Sequence, residues 1–495
     1  MKIIKTLAAA LLLTGSTVSC TNLTSEMYDT INTGIFPKST EDAKSLVLAS
    51  AYGPFRACWW SGLYQSGSGG IQVYTEMTTD IGDCQWDDPL WNDLRKVNFT
   101  SNSSGIVSYQ QYINFISKMT LTLERIANIN MDEAEKTRLN GELHCGRGWL
   151  AYVLYDLYGP IQVASSAQLN DPLNDDPAPR LTHDEMVKFI EDDLKAAIDV
   201  LPARYDKSDS NYGSFTRGLA YTVLMKLYMH EKEWQKAADC GKELAKPEYG
   251  LGLMEHYKDI FTLENEGNKE AIWSCICDAS ENAQMWLAHV LSSPCPTKNE
   301  NIQKWGGYRV LWSFYHTFDP ADERLQVLVG DFQGTDGHHY TEDSPGSVLL
   351  KGALPIKYGE DPSATGEESQ IDWIVFRYAD VLTLRAEALA RANNSVTQEA
   401  LDCLNAVHQR AGLPAYKLSD FASVNDFLET VLLERGHELW FEGARRTDLI
   451  RYGKYIEYAK KYKGSTTAKD YMTLMPLPQS VIDESKGKIA QNPGY

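Results

Sequence analysis

The chain has 495 residues, 43% of them hydrophobic, and a formal net charge of −20 at pH 7. This length allows a large body with a substantial core, and after the first twenty residues no apolar run is long enough to span a bilayer. The acidic balance argues against nucleic acid as a partner and against attachment to anionic lipid through a basic patch.

The N-terminus has the pattern of a secretory signal peptide. Lys2 and Lys5 precede an apolar run, and the small residues Ser16-Thr17-Val18-Ser19 lead directly to Cys20. A cysteine in this position resembles a bacterial lipobox, in which the thiol is acylated and the cysteine becomes the new N-terminus. We therefore predict lipidation at Cys20, since each buried CH₂ of an acyl chain contributes about 0.8 kcal/mol to anchoring. Ordinary cleavage beside an incidental cysteine is the alternative.

Three segments are predicted along the chain: a signal peptide at 1–19, a lipid anchor and polar tether at 20–38, and a single domain at 39–495. Loss of the signal peptide removes two lysines, so the net charge becomes about −22. Within the domain we expect a helical scaffold mainly at 105–246 and 371–452, and irregular ligand-binding parts at 55–104 and 247–370.

The predicted helices begin after Ser39-Thr40 and resume over 109–158, where apolar residues recur three or four positions apart. Thr182 and Glu185 form a capping-box pattern that opens the next helix. Further along, Ser214 opens another helical segment.

Two later segments, 214–246 and 382–407, share the small-residue and aromatic pattern of a tetratricopeptide-like helix pair. The predicted fold is therefore mainly α, with tetratricopeptide-like pairs forming an α-solenoid scaffold, an irregular loop-rich half and few short strands.

The segment 371–452 reads as three helices. Ser395 and Gln398 form a capping-box pattern for the second of them. The third carries Glu434, Arg435 and Glu438, followed by Arg445, and paired carboxylates of this kind perform glycoside hydrolysis. Their spacing on one helix instead makes them neighbours of each other, which favours structural ion pairs.

The irregular parts are rich in aromatic residues. Residues 58–100 show no helical period and are predicted to form a long loop region, a kind of segment that is often functional. From 247 to 370 the helical period also weakens, and only 270–278 reads as a short strand. The pair His338-His339 is expected on a surface loop.

We predict no cofactor. The eight cysteines after Cys20 fit no zinc spacing, and their disulfide pairing cannot be deduced from eight residues. Asp80, Asp83, Asp87 and Asp88 are a candidate calcium cluster, but they lack the glycine-centred spacing of an EF-hand loop.

The order of several motifs resembles the SusD/RagB family of surface nutrient-binding lipoproteins of Bacteroidetes. They include the lipobox, LHCGRGWLAYVLYDLYGPIQV, RYADVLTLRAEAL, LLERGHELWFEGARRTDLIR, LMPLPQSVI and the terminal QNPGY. The resemblance implies a lipid-anchored protein on the outer membrane that forms a lid over a SusC-like TonB-dependent transporter. Such proteins capture oligosaccharides, or peptides in some branches, and the resemblance implies no catalytic residues.

The candidate ligand-binding residues are aromatic, because sugar rings stack their C–H faces on Trp and Tyr. The resemblance places such residues in both irregular parts, and the alternative is that the same rings pack in the core. The candidates are Trp59, Trp60, Tyr74, Trp86 and Trp91 in the first part and Trp305, Tyr308 and Trp312 in the second.

Glycan capture and delivery is thus the predicted function. Three other functions stay open: peptide capture, a surface glycoside hydrolase and a scaffold that binds only proteins. The hydrolase would need two carboxylates from separate elements, commonly within an α/β barrel, and no eight-fold strand–helix alternation is present in the sequence.

Overall fold

The computed structural model describes residues 36–58, 62–67, 69–103 and 108–495. The predicted signal peptide, Cys20, Trp59 and Trp60 lie outside the described residues. Within them, no helix is both long enough and apolar enough to cross a membrane.

Helices dominate the described part of the chain. In chain order they are α1 (Thr40–Val47), α2 (Ile71–Glu76), α3 (Pro89–Lys96), α4 (Tyr109–Ala127), α5 (Glu133–Tyr158), α6 (Ser166–Asn170), α7 (His183–Val200), α8 (Arg217–His230), α9 (Trp234–Leu244), α10 (Trp286–Val290), α11 (Trp312–Tyr315), α12 (Tyr378–Asn393), α13 (Gln398–Arg410), α14 (Val424–Leu439), α15 (Arg445–Arg451), α16 (Tyr455–Lys463) and α17 (Gln479–Glu484).

The long helices pack in sequence as an array. Helix α4 packs on α5, α5 on α7, α7 on α8, α8 on α9, α9 on α12, and α12 on both α13 and α14. Close approach depends on small residues: a Cβ at Gly148 of α5 would lie 3.1 Å from the Cβ of Asp193 on α7. The mainly α fold with tetratricopeptide-like helix pairs is confirmed.

Local capping explains where the helices begin. The Thr182 hydroxyl accepts a hydrogen bond from the Glu185 amide, and the Glu185 carboxylate accepts one from the Thr182 amide, as predicted. The predicted cap at Ser395 is wrong, because the Ser395 amide still bonds to Ala390 at the end of α12. Thr397 caps α13 instead, its hydroxyl accepting from the Ala400 amide.

The described residues also form eight short strands: β1 (Gly82–Cys84), β2 (Ala271–Cys275), β3 (Tyr308–Leu311), β4 (Leu328–Val329), β5 (Phe332–Gln333), β6 (His339–Tyr340), β7 (Gly352–Pro355) and β8 (Trp373–Arg377). An antiparallel sheet has the order β1-β3-β7-β4, while β2 pairs with β8 and β5 with β6. The predicted strand at 270–278 is confirmed as β2.

The prediction that residues 58–100 form only loops is wrong. This segment contains α2, β1 and α3, and α3 begins where the Asp88 carboxylate accepts hydrogen bonds from the Leu90 and Trp91 amides. Helices of six and eight residues are too short to show a clear period in the sequence.

The charged residues of α14 form buried ion pairs, although not with each other as their spacing suggested. Glu438 accepts hydrogen bonds from Arg377 and Arg410 and a third from Arg324 at 3.1 Å. Glu434 accepts from Arg324 at 2.7 Å and contacts His408 Nδ1 at 2.8 Å. Burial alone would raise the pKa of Glu434, but the Arg324 charge and the His408 hydrogen bond lower it to about 2.

Candidate ligand-binding surface

Strand β3 positions two groups of aromatic side chains. Tyr308 at its start pairs with Cys84 of β1, and Leu311 at its end pairs with Gly352 of β7. Trp86 follows β1, Trp305 precedes β3, and α11 follows β3 directly. The aromatic groups therefore flank a strand of four residues, which spans about 13 Å at ~3.3 Å per residue.

Trp86 and Trp305 form the first group, and both are partly exposed. The Trp86 indole N–H donates to the Trp305 carbonyl at 3.3 Å. Both rings contact His289, with centroid distances of 5.9 Å for Trp86 and 4.8 Å for Trp305. Gly307 leaves room for this arrangement, because a Cβ there would lie 2.7 Å from Trp86 Cζ2.

Trp312 and Tyr315 of α11 form the second group, again partly exposed. Their rings are nearly perpendicular, with centroids 5.3 Å apart. The Trp312 indole N–H donates to the Leu349 carbonyl at 3.1 Å. Gly330 lies against both rings, since a Cβ there would lie 2.9 Å from Tyr315 Cζ.

The segment 347–351 lies between the two groups. Gln85 donates to the Ser347 carbonyl at 3.0 Å, and Lys351 donates to the Cys84 carbonyl at 2.9 Å. Leu350, in the middle of this segment, is 65% exposed. We call the surface formed by Trp86, Trp305, Leu350, Trp312 and Tyr315 the aromatic surface.

Arg309 holds the backbone beneath the aromatic surface. Its guanidinium is fully buried and donates to the carbonyls of Val348 at 2.7 Å and Val290 at 2.9 Å, and to Ser292 Oγ at 2.8 Å. Burial lowers the pKa of Arg309 to about 10, so the side chain is still charged at neutral pH. One cation therefore joins β3 to two separate loops.

Three of the predicted ligand-binding aromatics are core residues instead. Tyr74 and Tyr308 are fully buried and Trp91 is almost so. The Tyr308 hydroxyl donates to the Ser66 carbonyl at 2.8 Å, and the Trp91 ring packs edge-on against Tyr308 at 5.5 Å. These rings offer no face to a ligand, so packing explains them. For Trp86, Trp305 and Trp312 ligand contact stays a prediction.

Tyr315, Leu350 and Arg309 were missed by sequence reasoning. Tyr315 lies three residues after Trp312, a spacing that places both on one side of a helical turn and was the available signal. The Gly306-Gly307 pair beside Trp305 was a second signal, because adjacent glycines allow close packing of an indole. No pattern in the sequence indicated the role of Arg309.

The candidate calcium ligands are engaged by other groups of the protein. Asp80 pairs with Arg445 at 2.7 Å, Asp83 and Asp87 pair with Arg95 at 2.8 and 4.0 Å, and Asp88 caps α3. In the described ranges, no group of three or more His, Cys, Asp or Glu side chains could hold a metal ion. Among the described residues, Cys84 and the six cysteines that follow it in the chain are free thiols.

The side chains of the two adjacent histidines lie at the protein surface, as predicted. His338 and His339 are exposed, although His339 belongs to strand β6 rather than to a loop. His339 Nε2 lies 2.7 Å from Asp331 Oδ1.

A second depression, with a volume of about 640 Å³, lies between a π-helical turn at Leu48–Tyr52, helix α4 and strand β2. Two of its rings turn toward the core: Tyr52 stacks on Phe215 at 4.1 Å, and the Trp273 indole N–H donates to the Gly213 carbonyl at 3.0 Å. The depression is lined by a mixture of aromatic, polar and aliphatic side chains, and its indole, that of Trp273, is buried, unlike the indoles of the aromatic surface.

The helical array with its small antiparallel sheet is the fold of SusD-like proteins. A SusD homologue from Bacteroides thetaiotaomicron superposes with a TM-score of 0.78 at 22% identity, covering 94% of this chain and 98% of that one. Surface glycan-binding protein A from the same species, solved with laminarihexaose, gives a TM-score of 0.74 at 18% identity and covers 92% of this chain and all of that one.

The sequence matches agree with the fold. A family model described as starch-binding and associating with the outer membrane matches residues 61–229, and the SusD family model matches residues 333–495. A SusD-like protein of Formosa agariphila is 24% identical over 464 residues, or 87% of each chain. The starch-binding protein SusD of B. thetaiotaomicron is 20% identical over 432 residues, or 74% of each chain. The chain belongs to the SusD-like family.

Proposed function

We propose that this protein binds a glycan at the cell surface through the aromatic surface and delivers it to a SusC-like TonB-dependent transporter in the outer membrane. The observation that carries the proposal is the pair of partly exposed aromatic groups, Trp86 with Trp305 and Trp312 with Tyr315, at the two ends of strand β3, together with the exposed Leu350. Aromatic faces stack on the C–H faces of sugar rings. Two groups separated by strand β3 suit an oligosaccharide rather than a single sugar.

The family relationship supports the same ligand class. Solved relatives include glycan-binding and laminarin-binding proteins, and a curated relative binds starch. The protein is proposed to act without catalysis, because Glu434 and Glu438 of α14 are engaged by arginine or histidine in the core. A hydrolase would need two carboxylates that face its substrate.

Affinity electrophoresis in polysaccharide gels, followed by calorimetry with the matching oligosaccharides, tests binding. We expect at least one glycan to retard the protein and the oligosaccharide to bind without release of new reducing ends. Reducing-end release would indicate a hydrolase. Retention of peptides with no retardation by any glycan would favour peptide capture.

Lipid anchoring at Cys20 and delivery to a transporter are the other parts of the proposal. Cys20→Ala should move the protein from the outer-membrane fraction to the soluble fraction, and continued anchoring would refute lipidation there. Purification of the tagged protein from detergent-solubilised outer membranes should recover a SusC-like barrel. Recovery without one would argue against delivery to such a partner.

A further inference from the structure

Carboxylates lie at both ends of the aromatic surface. Asp87 directly follows Trp86; its side chain is 81% exposed, and its Oδ1 lies 4.0 Å from Arg95 Nη1. At the other end, the side chains of Asp331 and Glu342 are 66% and 44% exposed. Burial and the charges of these two carboxylates raise the pKa of Tyr315, which places both near its hydroxyl.

Two histidines near Tyr315 contact these carboxylates. His316 Nε2 lies 2.6 Å from Glu342 Oε2, and His339 Nε2 lies 2.7 Å from Asp331 Oδ1. Each imidazole is therefore already held by a carboxylate, and a protonated imidazole would cancel one negative charge without leaving a positive one for a ligand.

The cations near the aromatic surface are each engaged by acceptors of the protein. Lys351 donates to the Cys84 carbonyl at 2.9 Å, and Lys304 donates to the Cys295 carbonyl at 2.6 Å. Arg95 donates to Asp83 at 2.8 Å and to the Cys84 carbonyl at 2.7 Å. Arg309 is fully buried. Recognition of a carboxylate or sulfate group depends on an accessible guanidinium or ammonium.

We infer that the aromatic surface selects neutral glycans and excludes uronate-containing and sulfated ones. This inference rests on the proposed function, because it concerns the ligand of that same surface. Carboxylates at both ends repel an anionic chain that lies along the aromatic groups, and the nearby cations are not positioned to bind one. The net charge of −20 adds a longer-range repulsion that salt screens.

The test uses one neutral glycan that binds, together with two derivatives of it. Carboxymethylation adds negative charges to the polymer, and hydroxyethylation to the same degree adds similar bulk without charge. In 20 mM NaCl we expect the carboxymethyl derivative to bind at least about tenfold more weakly than the hydroxyethyl derivative. In 500 mM NaCl the difference should shrink to about twofold, because exposed charges are then screened.

Substitutions test whether Asp331 and Glu342 are the carboxylates that repel the carboxymethyl derivative. The double substitution Asp331→Asn and Glu342→Gln should strengthen binding of the carboxymethyl derivative several-fold in 20 mM NaCl and leave the hydroxyethyl derivative within twofold. Asp199→Asn, on helix α7 of the helical array, is the control for net charge and should change neither.

The outcomes separate this inference from the proposed function. Equal affinity for both derivatives, or binding of a natural uronate or sulfated polysaccharide in preference to neutral ones, would overturn charge selection and leave glycan binding standing. A failure to bind any glycan would overturn both. If the double variant behaves like the control, the repulsion does not come from these carboxylates and the inference is wrong.

Discussion

Glu438 in the helical array and Glu342 beside the aromatic surface show how differently two regions of this protein use the same residue type. Glu438 is fully buried and accepts hydrogen bonds from three arginines, whereas Glu342 is exposed and meets a single histidine. A buried carboxylate of the helical array therefore stabilises the fold, whereas an exposed carboxylate beside the aromatic surface acts on an approaching ligand. Substitutions in the two regions should separate stability from affinity.

Acidic pH should destabilise the helical array through its buried titratable side chains. Burial and the nearby Arg324 charge lower the pKa of His437 to about 3 from an ordinary 6.5, and Glu434 titrates near 2 rather than 4.5. In both cases the unfolded chain takes up its proton at higher pH than the folded chain. The stability that these two groups contribute should thus be fully present above about pH 6.5 and be lost progressively toward pH 3. Comparing urea unfolding of the wild type and of a His437 variant across this pH range isolates the contribution of His437.

His437→Gln removes one of these titrations, so the stability of the wild type relative to this variant should fall between pH 6.5 and pH 4. The exposed His338→Gln is its control and should give a curve parallel to that of the wild type. Parallel curves for the wild type and His437→Gln would contradict the burial of neutral His437.

Glu438→Gln should give the largest loss of stability at neutral pH. The substitution leaves Arg324, Arg377 and Arg410 buried with one fewer negative charge, and breaking a buried ion pair typically costs about 3–5 kcal/mol. Urea unfolding measures this loss, and glycan affinity of the folded fraction should stay within twofold.

Asp192→Asn is the matched control, since Asp192 pairs with Lys188 on the exposed face of α7. Such exposed pairs contribute about 0–1 kcal/mol. Similar losses for the two variants would mean that the buried network does not stabilise the array.

Trp312→Ala should lower glycan affinity and leave folding stability nearly unchanged, the opposite of Glu438→Gln. Loss of a stacking face at the aromatic surface should weaken glycan binding about tenfold, or ~1.4 kcal/mol, while the partly exposed ring contributes little to folding. Calorimetry and thermal unfolding measure the two effects. Trp234→Ala, a partly exposed tryptophan of α9, should leave affinity unchanged. A large fall in melting temperature with unchanged affinity would identify Trp312 as a packing residue.

Gly307→Ala should have the smallest effect, a loss of affinity of a few fold. The new Cβ would lie 2.7 Å from Trp86 Cζ2 and must displace the indole. Gly252→Ala is the control, because a Cβ there meets Lys269 at an ordinary 3.5 Å. Unchanged affinity for Gly307→Ala would show that the position of Trp86 does not matter for binding.

The helical array was predictable from the sequence because its signals are local. Long helices repeat their apolar positions over several turns, and capping residues such as Thr182 act within three residues. The aromatic surface was less predictable, since it depends on which strands pair. Trp305 and Tyr308 lie three residues apart, yet only Tyr308 enters β3 and is buried against β1.

The ion-pair partners of the buried α14 carboxylates could not be predicted either, because they depend on which distant segments pack together. Their charges suggested ion pairs, but the arginines that bind Glu438 come from β8, α13 and the turn at Glu323–Val327. No spacing in the sequence brings those segments together. The role of Arg309 could not be predicted either, because most of its hydrogen-bond acceptors are backbone carbonyls, which every residue type supplies.

Arg309 also bears on the thermodynamics of ligand capture. Because one buried guanidinium fixes β3, the 290–292 segment and the 347–351 segment together, the backbone beneath the aromatic surface is already ordered before a ligand arrives. Binding then requires little loss of conformational entropy from the protein, and most of the entropic cost falls on the flexible glycan. Conformationally restricted oligosaccharides should therefore bind more tightly than flexible ones of equal length.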